Sequence, residues 1–462
     1  MNTAISAEPT AGGSSSRDGY TPESGPAGSR AIGRREVAGL LVACMLGVSM
    51  VATVWPAVPA WLPATAAWGA FSLLWPGLGA QQRIQTLVFF ALGLVALWWG
   101  REHGATVQIE SVLGRNQLIL SMLASVSLLR LLSPSDTKAD GQLPRGIGAY
   151  VRSMLGVHGF ASVINISALI LMADRLAHMA SLRMQQALLL SRAFSAVAFY
   201  SPFIGGVALA LAYTPGSNPL GLVLSGLPLA MAGLLLLYWY ARSGRVDDLE
   251  NFRGYPIHFE SLRLPVVLAL TVMGGVLVID EISVLSLITV LTPLVVCGAL
   301  VARGGLAGLR HAMTVYVTRR LPEMGGELAL FLGAGVLASG LVAAVAGLDG
   351  WTPVTEFGAL QASGLLLIFI VLSLICIHPV VIVSVLAPLL ISIESDPTLV
   401  AIAFAMGWGL GCAVNPMSGT NLILNTRYGV SNWAVAYSNI RFSGTLYLFA
   451  IVLLHLYELV IA

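Results

Sequence analysis

Charge is what this sequence has least of. Of its 462 residues only 10% are Asp, Glu, Lys or Arg, against 57% hydrophobic. Soluble domains carry about a quarter charged residues, so with a mean hydropathy of +0.84 a soluble globular fold is excluded. The 24 basic and 22 acidic residues leave a net charge of +2. That balance supplies neither a basic field for nucleic acid nor an acidic tail. Cysteine is scarce as well: Cys44, Cys297, Cys376 and Cys412 are scattered through apolar stretches with no CxxC pair. A disulfide framework and a zinc site both lack their spacing, which leaves small packing residues. No nucleophile–base pair, metal-ligand spacing or Gly-rich phosphate loop appears, so the sequence calls for no cofactor and no enzyme chemistry.

Glycine and proline, by contrast, are abundant, 49 and 22 residues, mostly inside apolar runs where membrane helices tolerate them. The chain reads as an all-α polytopic protein of the inner (cytoplasmic) membrane. Residues 1–35 are rich in Ser, Gly, Pro and Glu and end in Arg30, Arg34 and Arg35, the pattern of a disordered cytoplasmic tail. The next run, Val37 to Trp55, has no evident cleavage site and reads as an uncleaved extra helix, 36–56.

A spanning helix needs about 20 mainly apolar residues. About eleven candidates follow: 37–56, 62–80, 84–100, 114–132, 184–213, 219–240, 264–279, 283–302, 326–347, 398–426 and 443–460. Polar loops are expected at 133–145, 241–263 and 303–325. Two further stretches, 146–174 and 362–393, are decided by charge, because Arg-rich short loops stay cytoplasmic. If each enters and leaves on one side as a re-entrant hairpin, then Lys138, Arg145, Arg152, Arg175, Arg183, Arg242, Arg245, Arg253, Arg263, Arg303, Arg310, Arg319 and Arg320 all fall inside. Asp349, Glu356, Glu394 and Asp396 then fall outside.

The chain also resembles itself. Residues 193–216, AFSAVAFYSPFIGGVALALAYTPG, and 406–429, MGWGLGCAVNPMSGTNLILNTRYG, are both apolar and small-residue-rich. Each is interrupted by a polar–Pro pair, Ser201-Pro202 and Asn415-Pro416, 214 residues apart between the prolines. Upstream of each lies a candidate hairpin with a His at its middle, His158-Gly159 and His378-Pro379. Interrupted helices at matching places, in copies that the topology orients oppositely, point to inverted repeats. The boundaries expected are 57–240 and 264–462, joined by a cytoplasmic linker over 241–263.

Pro202 and Pro416 each remove a backbone donor, so both helices should open there. Opened backbone at membrane depth needs protein or a water-filled cavity around it. Freed N–H groups attract an anion and freed carbonyls can hold a cation. Ser418, Thr420 and Asn421, close behind Asn415, form a dense polar set that suits Na+ or a carboxylate; the first break offers only Ser201. His158 and His378 either donate to backbone carbonyls or carry a coupling proton. Asn165 and Ser167 are interhelical hydrogen-bond partners or ligands. Arg192 and Arg427 read as interfacial orientation charges, Asp280-Glu281 as an external turn and Glu327 as a helix-start residue. Trp55, Trp61, Trp68, Trp98, Trp99, Trp239 and Tyr240 read as interfacial anchors.

On these features the chain resembles the ion transporter superfamily, which holds arsenite permeases, divalent-anion/sodium symporters and citrate carriers. The stretches that carry the resemblance are FYSPFIGGVALALAYTPG (199–216), IHPVVIVSVLAPLL (377–390) and NPMSGTNLIL (415–424), within roughly 114–460. The resemblance implies a homodimer with a scaffold domain and an elevator-type transport domain of hairpins and broken helices. Family sodium symporters carry Ser-Asn-Thr motifs at the hairpin tips; the expected tips here show His158-Gly159 and His378-Pro379 instead. The function implied is secondary active transport of a small anionic solute, a carboxylate or oxyanion, coupled to protons or sodium. Substrate contacts are expected from Ser201, Asn415, Ser418, Thr420, Asn421 and Asn165, and coupling-ion contacts from His158, His378, Ser418 and Thr420. The alternatives are a cation/proton antiporter and a membrane-embedded glycan polymerase or ligase.

Overall fold

The structure, a computed structural model, describes residues 33–55, 57–59, 61–132, 144–177, 181–254, 263–279, 282–348, 354–391 and 393–461. Most of the expected tail, together with Lys138, Asp280, Glu281 and Asp349, lies outside the described residues.

Helix is the one conformation in which an apolar segment satisfies its own backbone away from water, and helices make up nearly all of the fold. They are α1 (Arg34–Val54), α2 (Trp61–Leu74), α3 (Ala80–Glu102), α4 (Ile109–Gly114), α5 (Gln117–Ser127), α6 (Gly146–Ile164), α7 (Ile166–Ala177), α8 (Met184–Ser195) and α9 (Gly205–Tyr213). The second half holds α10 (Pro219–Arg242), α11 (Arg263–Val278), α12 (Val284–Val315), α13 (Gly325–Ala346), α14 (Ala359–Leu374), α15 (Pro379–Ile391), α16 (Pro397–Val414), α17 (Gly419–Tyr428) and α18 (Asn432–Ile461). Two short strands, β1 (Glu356–Phe357) and β2 (Glu394–Ser395), pair in parallel. Among the described residues eight helical stretches are long and apolar enough to cross a membrane, one of them running from Val284 to Ala346 through two helices. The chain is a multi-pass membrane protein. The tally falls below eleven partly because α2, α8 and α9 have 14, 12 and 9 residues, short of a full span.

Two expected boundaries are corrected. The polar loop at 303–325 is largely helix: α12 continues to Val315, bent at Gly305 with φ +61°. Arginine and leucine are good helix formers, so the onset of charge marks the edge of the apolar span without ending the helix. The span at 114–132 is divided at its start, where Asn116 (φ +65°) separates α4 from α5. Among the described residues α3 packs extensively against α13, and the contact rests on small residues. A methyl added at Gly93 would fall 2.7 Å from the Val336 carbonyl oxygen, and one at Gly340 would strike the Gly93 carbonyl. Close approach of this kind is how helices associate where burial of apolar surface gives no net drive.

The segment 362–393 does turn back. α14, 16 residues long, rises ~24 Å, yet Glu356 and Phe357 before it pair with Glu394 and Ser395 after α15. For 146–174, α6 starts beside Arg253, with Gly146 N donating to Phe252 O at 3.1 Å. α8 starts there too, Gln186 Nε2 donating to Arg253 O at 2.8 Å. α6 and α7 therefore leave and return to the same end of the molecule. The two interrupted helices, α8–α9 and α16–α17, run antiparallel. Asn218, just after α9, donates its N–H to Thr398 Oγ1 at the start of α16 (2.9 Å). At the far end Arg427, near the end of α17, pairs with Asp174 of α7 at 3.2 Å, shortly before α8 begins.

Candidate functional site

Both proline breaks are present. In the first, a short 3-10 turn over Ala196–Phe199 and a turn in which Ile204 N donates to Ser201 O at 3.0 Å separate α8 from α9. In the second, Asn415 (ψ 114°) ends α16 and Ser418 (ψ 147°) caps α17. A hairpin tip lies against each break. Asn165 Nδ2 donates to Phe203 O at 3.3 Å and Ser201 Oγ donates to Ser162 O. Asn415 Nδ2 donates to Ile377 O at 3.0 Å.

The first tip differs from the expectation. His158 sits inside α6, seven residues before the turn, and the tip is Asn165, whose φ of +55° lets the chain reverse. A left-handed φ suits Asn better than most residues because its side chain bonds locally; here Oδ1 accepts from Ile166 N at 2.7 Å. The tip sequence is therefore Asn165-Ile166-Ser167. The second tip turns at Cys376 (φ +69°) and includes His378, as expected. His158 has both ring nitrogens engaged, Nδ1 with Ala193 O and Nε2 with the Tyr200 hydroxyl, each at 3.1 Å. In His378 the ring Nδ1 accepts from Val380 N at 3.1 Å, so the neutral ring holds its proton on Nε2.

Most of the polar residues picked from sequence serve the breaks themselves. Asn415 and Asn421 are fully buried and Ser418 and Thr420 nearly so. Asn415 Oδ1 accepts from Met417 N at 2.8 Å. Asn421 Nδ2 donates to Ala413 O and Asn415 O at 3.2 and 2.9 Å, taking up carbonyls that the break frees. Ser191 Oγ then donates to Asn421 Oδ1 at 3.1 Å, and Asn439 Nδ2 donates to Ser191 Oγ at 3.2 Å. Arg192 ends this chain, its Nε donating to Asn439 Oδ1 at 2.8 Å. Arg192 is only 9% exposed, which corrects its reading as an interfacial charge; Tyr240 and Phe442 flank its guanidinium with ring centroids at 5.5 Å. Arg427 is the exposed partner of Asp174 and fits the interfacial reading.

What reaches open space is backbone. A cavity of about 770 Å³ has Met417, Gly419 and His378 in its lining. Gly419 is exposed to it, with no atom within 4 Å of where a Cβ would stand. Gly419 is the first residue of the ten-residue α17, so a helix N-terminus, whose first N–H groups lack intrahelical carbonyls, lines the cavity, with Ser418 Oγ accepting from Asn421 N at 3.4 Å. The lining also includes Gln81, Gln82 and Gln85 of α3, Glu327 of α13, and Arg34, Arg35 and Glu323. A second, apolar cavity of about 910 Å³ runs between α3, α13 and α15 and shares Gln81, Gln85 and His378 with the first. Among the described residues no group of three or more His, Cys, Asp or Glu is placed to hold a metal.

Sequence reasoning missed Asn439 and the α3 glutamines, and placed Glu327 at a helix start without assigning it a function. The glutamines were legible as three amides opening an apolar span, whereas Asn439 is one polar residue in a 30-residue helix. Compared with protein-family models and with curated proteins, the chain matches none.

Proposed function

We propose that the chain is a secondary active transporter of a small anionic solute, built on the plan of the ion transporter superfamily. The observation that carries the reading is the N-terminus of α17 lining a cavity that also carries Gln81, Gln82 and Gln85, inside an interrupted helix held by a hairpin tip. A half-helix N-terminus at membrane depth offers unpaired N–H groups and a positive dipole end, which favour an anion where charge is otherwise expensive. The antiparallel pair of interrupted helices supports the inverted-repeat plan, with α8–α9 and α16–α17 as counterparts. By the positive-inside rule the end of the molecule bearing Arg34, Arg145, Arg183, Arg253 and Arg320 is cytoplasmic, so the cavity opens to the cytoplasm in this conformation. Asn415, Asn421, Ser418 and Ser201 hold the breaks open; the solute meets the Gly419 N–H and the His378 Nε2–H. Coupling to protons or sodium, the homodimer and the elevator motion belong to the same reading.

Gly419→Val tests it. The added side chain enters empty space, so membrane abundance stays at the wild-type level. Uptake of the transported anion falls at least about tenfold, the effect of losing one or two hydrogen bonds to a charged group. Unchanged uptake in Gly419→Val would remove α17 from the solute path. Glu327 on the cavity wall favours a second reading, a cation/proton antiporter. In that case Glu327→Gln abolishes the pH response of everted vesicles to added Na+, whereas under the anion reading no such response exists to abolish.

A further inference from the structure

The apolar cavity between α3, α13 and α15, about 910 Å³ in volume, is polar at one end only. Gln81, Gln85 and His378 stand at that end, and the same three residues line the first cavity. Apart from the indoles of Trp98 and Trp99 and the thiol of Cys376, the other lining side chains are hydrocarbon. The two cavities therefore adjoin beside the second hairpin tip, a polar chamber on one side and an apolar groove on the other.

The run of the groove follows from α3. Ile84, Val88, Leu92 and Val95 recur at helical spacing, so they form one stripe along it. These four side chains line the groove yet are 47–62% exposed. On an apolar helix long enough to span, such exposure faces the hydrocarbon of the bilayer. The groove is therefore open sideways to lipid. From Gln85 to Trp98 the helix rises ~20 Å, more than half of a hydrocarbon layer ~30 Å thick. Its walls offer water almost no hydrogen-bond partners, which leaves an alkyl chain as the filling that fits.

The polar end fixes what such a chain carries. Charges around the first cavity balance, Arg34 and Arg35 against Glu323 and Glu327, so no net field gathers ions there. Where the two cavities meet, the His378 Nε2–H and the glutamine amides are hydrogen-bond donors. This meeting point lies below the membrane surface. Glu356 and Glu394 pair at the base of the hairpin, and α14 carries the chain ~24 Å inward from there, short of the full hydrocarbon thickness. A two-chain phospholipid keeps its head at the surface, whereas a single-chain amphiphile can be drawn in head first.

We propose that the solute is a single-chain amphipathic anion, an alkyl or acyl chain ending in one anionic group. Its tail lies along α3 between Ile84 and Trp98, and its head lies at Gln81, Gln85 and His378. The assignment rests on the proposed function for the charge and the transport of the solute; the tail groove is tested separately, by binding.

The test is equilibrium binding of radiolabelled octanoate to purified full-length protein in lipid nanodiscs, with empty nanodiscs subtracted and butyrate and octan-1-ol as competitors. Each methylene buried from water is worth about fourfold in affinity. Octanoate therefore binds at least about thirtyfold more tightly than butyrate, and octan-1-ol, which has the chain without the charge, is at least about tenfold weaker than octanoate. Val88→Trp and Leu92→Trp fill the groove, weakening octanoate at least about tenfold and leaving butyrate unchanged. Leu94→Trp, on the same helix but outside the lining, leaves both unchanged. A readout that needs no variant is photolysis of an octanoate analogue with a diazirine at the chain end, which labels peptides carrying 88–99 or 337–344. Equal affinity for octanoate and butyrate, octanoate binding indifferent to both tryptophans, or label confined to other peptides overturns the groove. Octan-1-ol binding as tightly as octanoate overturns the anionic head. A phospholipid that stays bound in native mass spectra while octanoate fails to bind assigns the groove to lipid and overturns the proposal. Octanoate in the groove without gradient-driven uptake of any anion would remove the proposed function and leave the groove standing. Uptake of small anions with no preference for chain length would do the reverse.

Discussion

Asn421 shows how a residue chosen for binding can be needed first for structure. Its amide bridges Ala413 O and Asn415 O, and its own oxygen accepts from Ser191. An Asn421→Ala protein loses three hydrogen bonds from a buried network, at about 0.5–1.5 kcal/mol each. We expect a clear drop in thermal midpoint, whereas Gly419→Val keeps it, because nothing lies within 4 Å of the new Cβ. A chain in which Asn421→Ala unfolds at the wild-type temperature would show that this network is idle. His158 behaves similarly: His158→Phe loses the bonds to Ala193 and Tyr200 and should lower the midpoint by an amount matching about 1–2 kcal/mol. Residue type and position were readable for the breaks, because proline and clustered amides in apolar runs have few uses. What each side chain bonds was not readable, since Asn439 lies 18 residues past Asn421 and Ser191 comes from the other half of the chain.

At the scale of elements, the hairpins and interrupted helices are the legible part. The charge asymmetry pointed to a segment that returns over 362–393, because a Lys/Arg bias acts over whole loops and tolerates errors of a few residues, and the β1–β2 pairing brings its two ends together. It could not locate the first tip. Nothing in the apolar pattern distinguishes a helix that continues past His158 from one that turns there; the turn is set by Asn165 adopting a positive φ. Helix ends marked by charge were misplaced for the same reason at 303–325, where arginines continue a helix that has left the apolar layer. The hairpin geometry predicts a cross-link. With the native cysteines replaced, Glu356→Cys and Glu394→Cys sit on directly paired strand positions, within the ~4.4–6.8 Å Cα range of a disulfide. Mild oxidation should join them, seen as a mobility shift reversed by reductant, and absence of the shift would deny that the segment returns. The α3–α13 contact predicts a loss: Gly93→Leu forces apart backbones whose spacing leaves 2.7 Å for a methyl. Its abundance in the membrane should fall, by the overpacking penalty of about 1–3 kcal/mol or more.

Two features stand out at the scale of the molecule: a cavity whose lining includes Arg34, Arg35, Gln81, Gln82, Gln85 and Gly419, and the buried polar cluster around Tyr213, where Asn116, Ser384 and Arg115 meet its hydroxyl. The antiparallel interrupted helices pack closely, the Trp408 ring lying against Gly206 where a side chain would not fit. Composition identified a multi-pass membrane protein because water-free surroundings tax every charge. The site was legible only to the level of the breaks, since a backbone N–H facing a cavity leaves no mark in sequence. The measurement that tests the central claim most directly is uptake of a radiolabelled carboxylate and oxyanion panel into proteoliposomes, with an imposed pH gradient and, separately, a sodium gradient. The account predicts gradient-driven accumulation of at least one anion, lost in Gly419→Val. No accumulation of any member under either gradient, with protein present in both orientations, would contradict it.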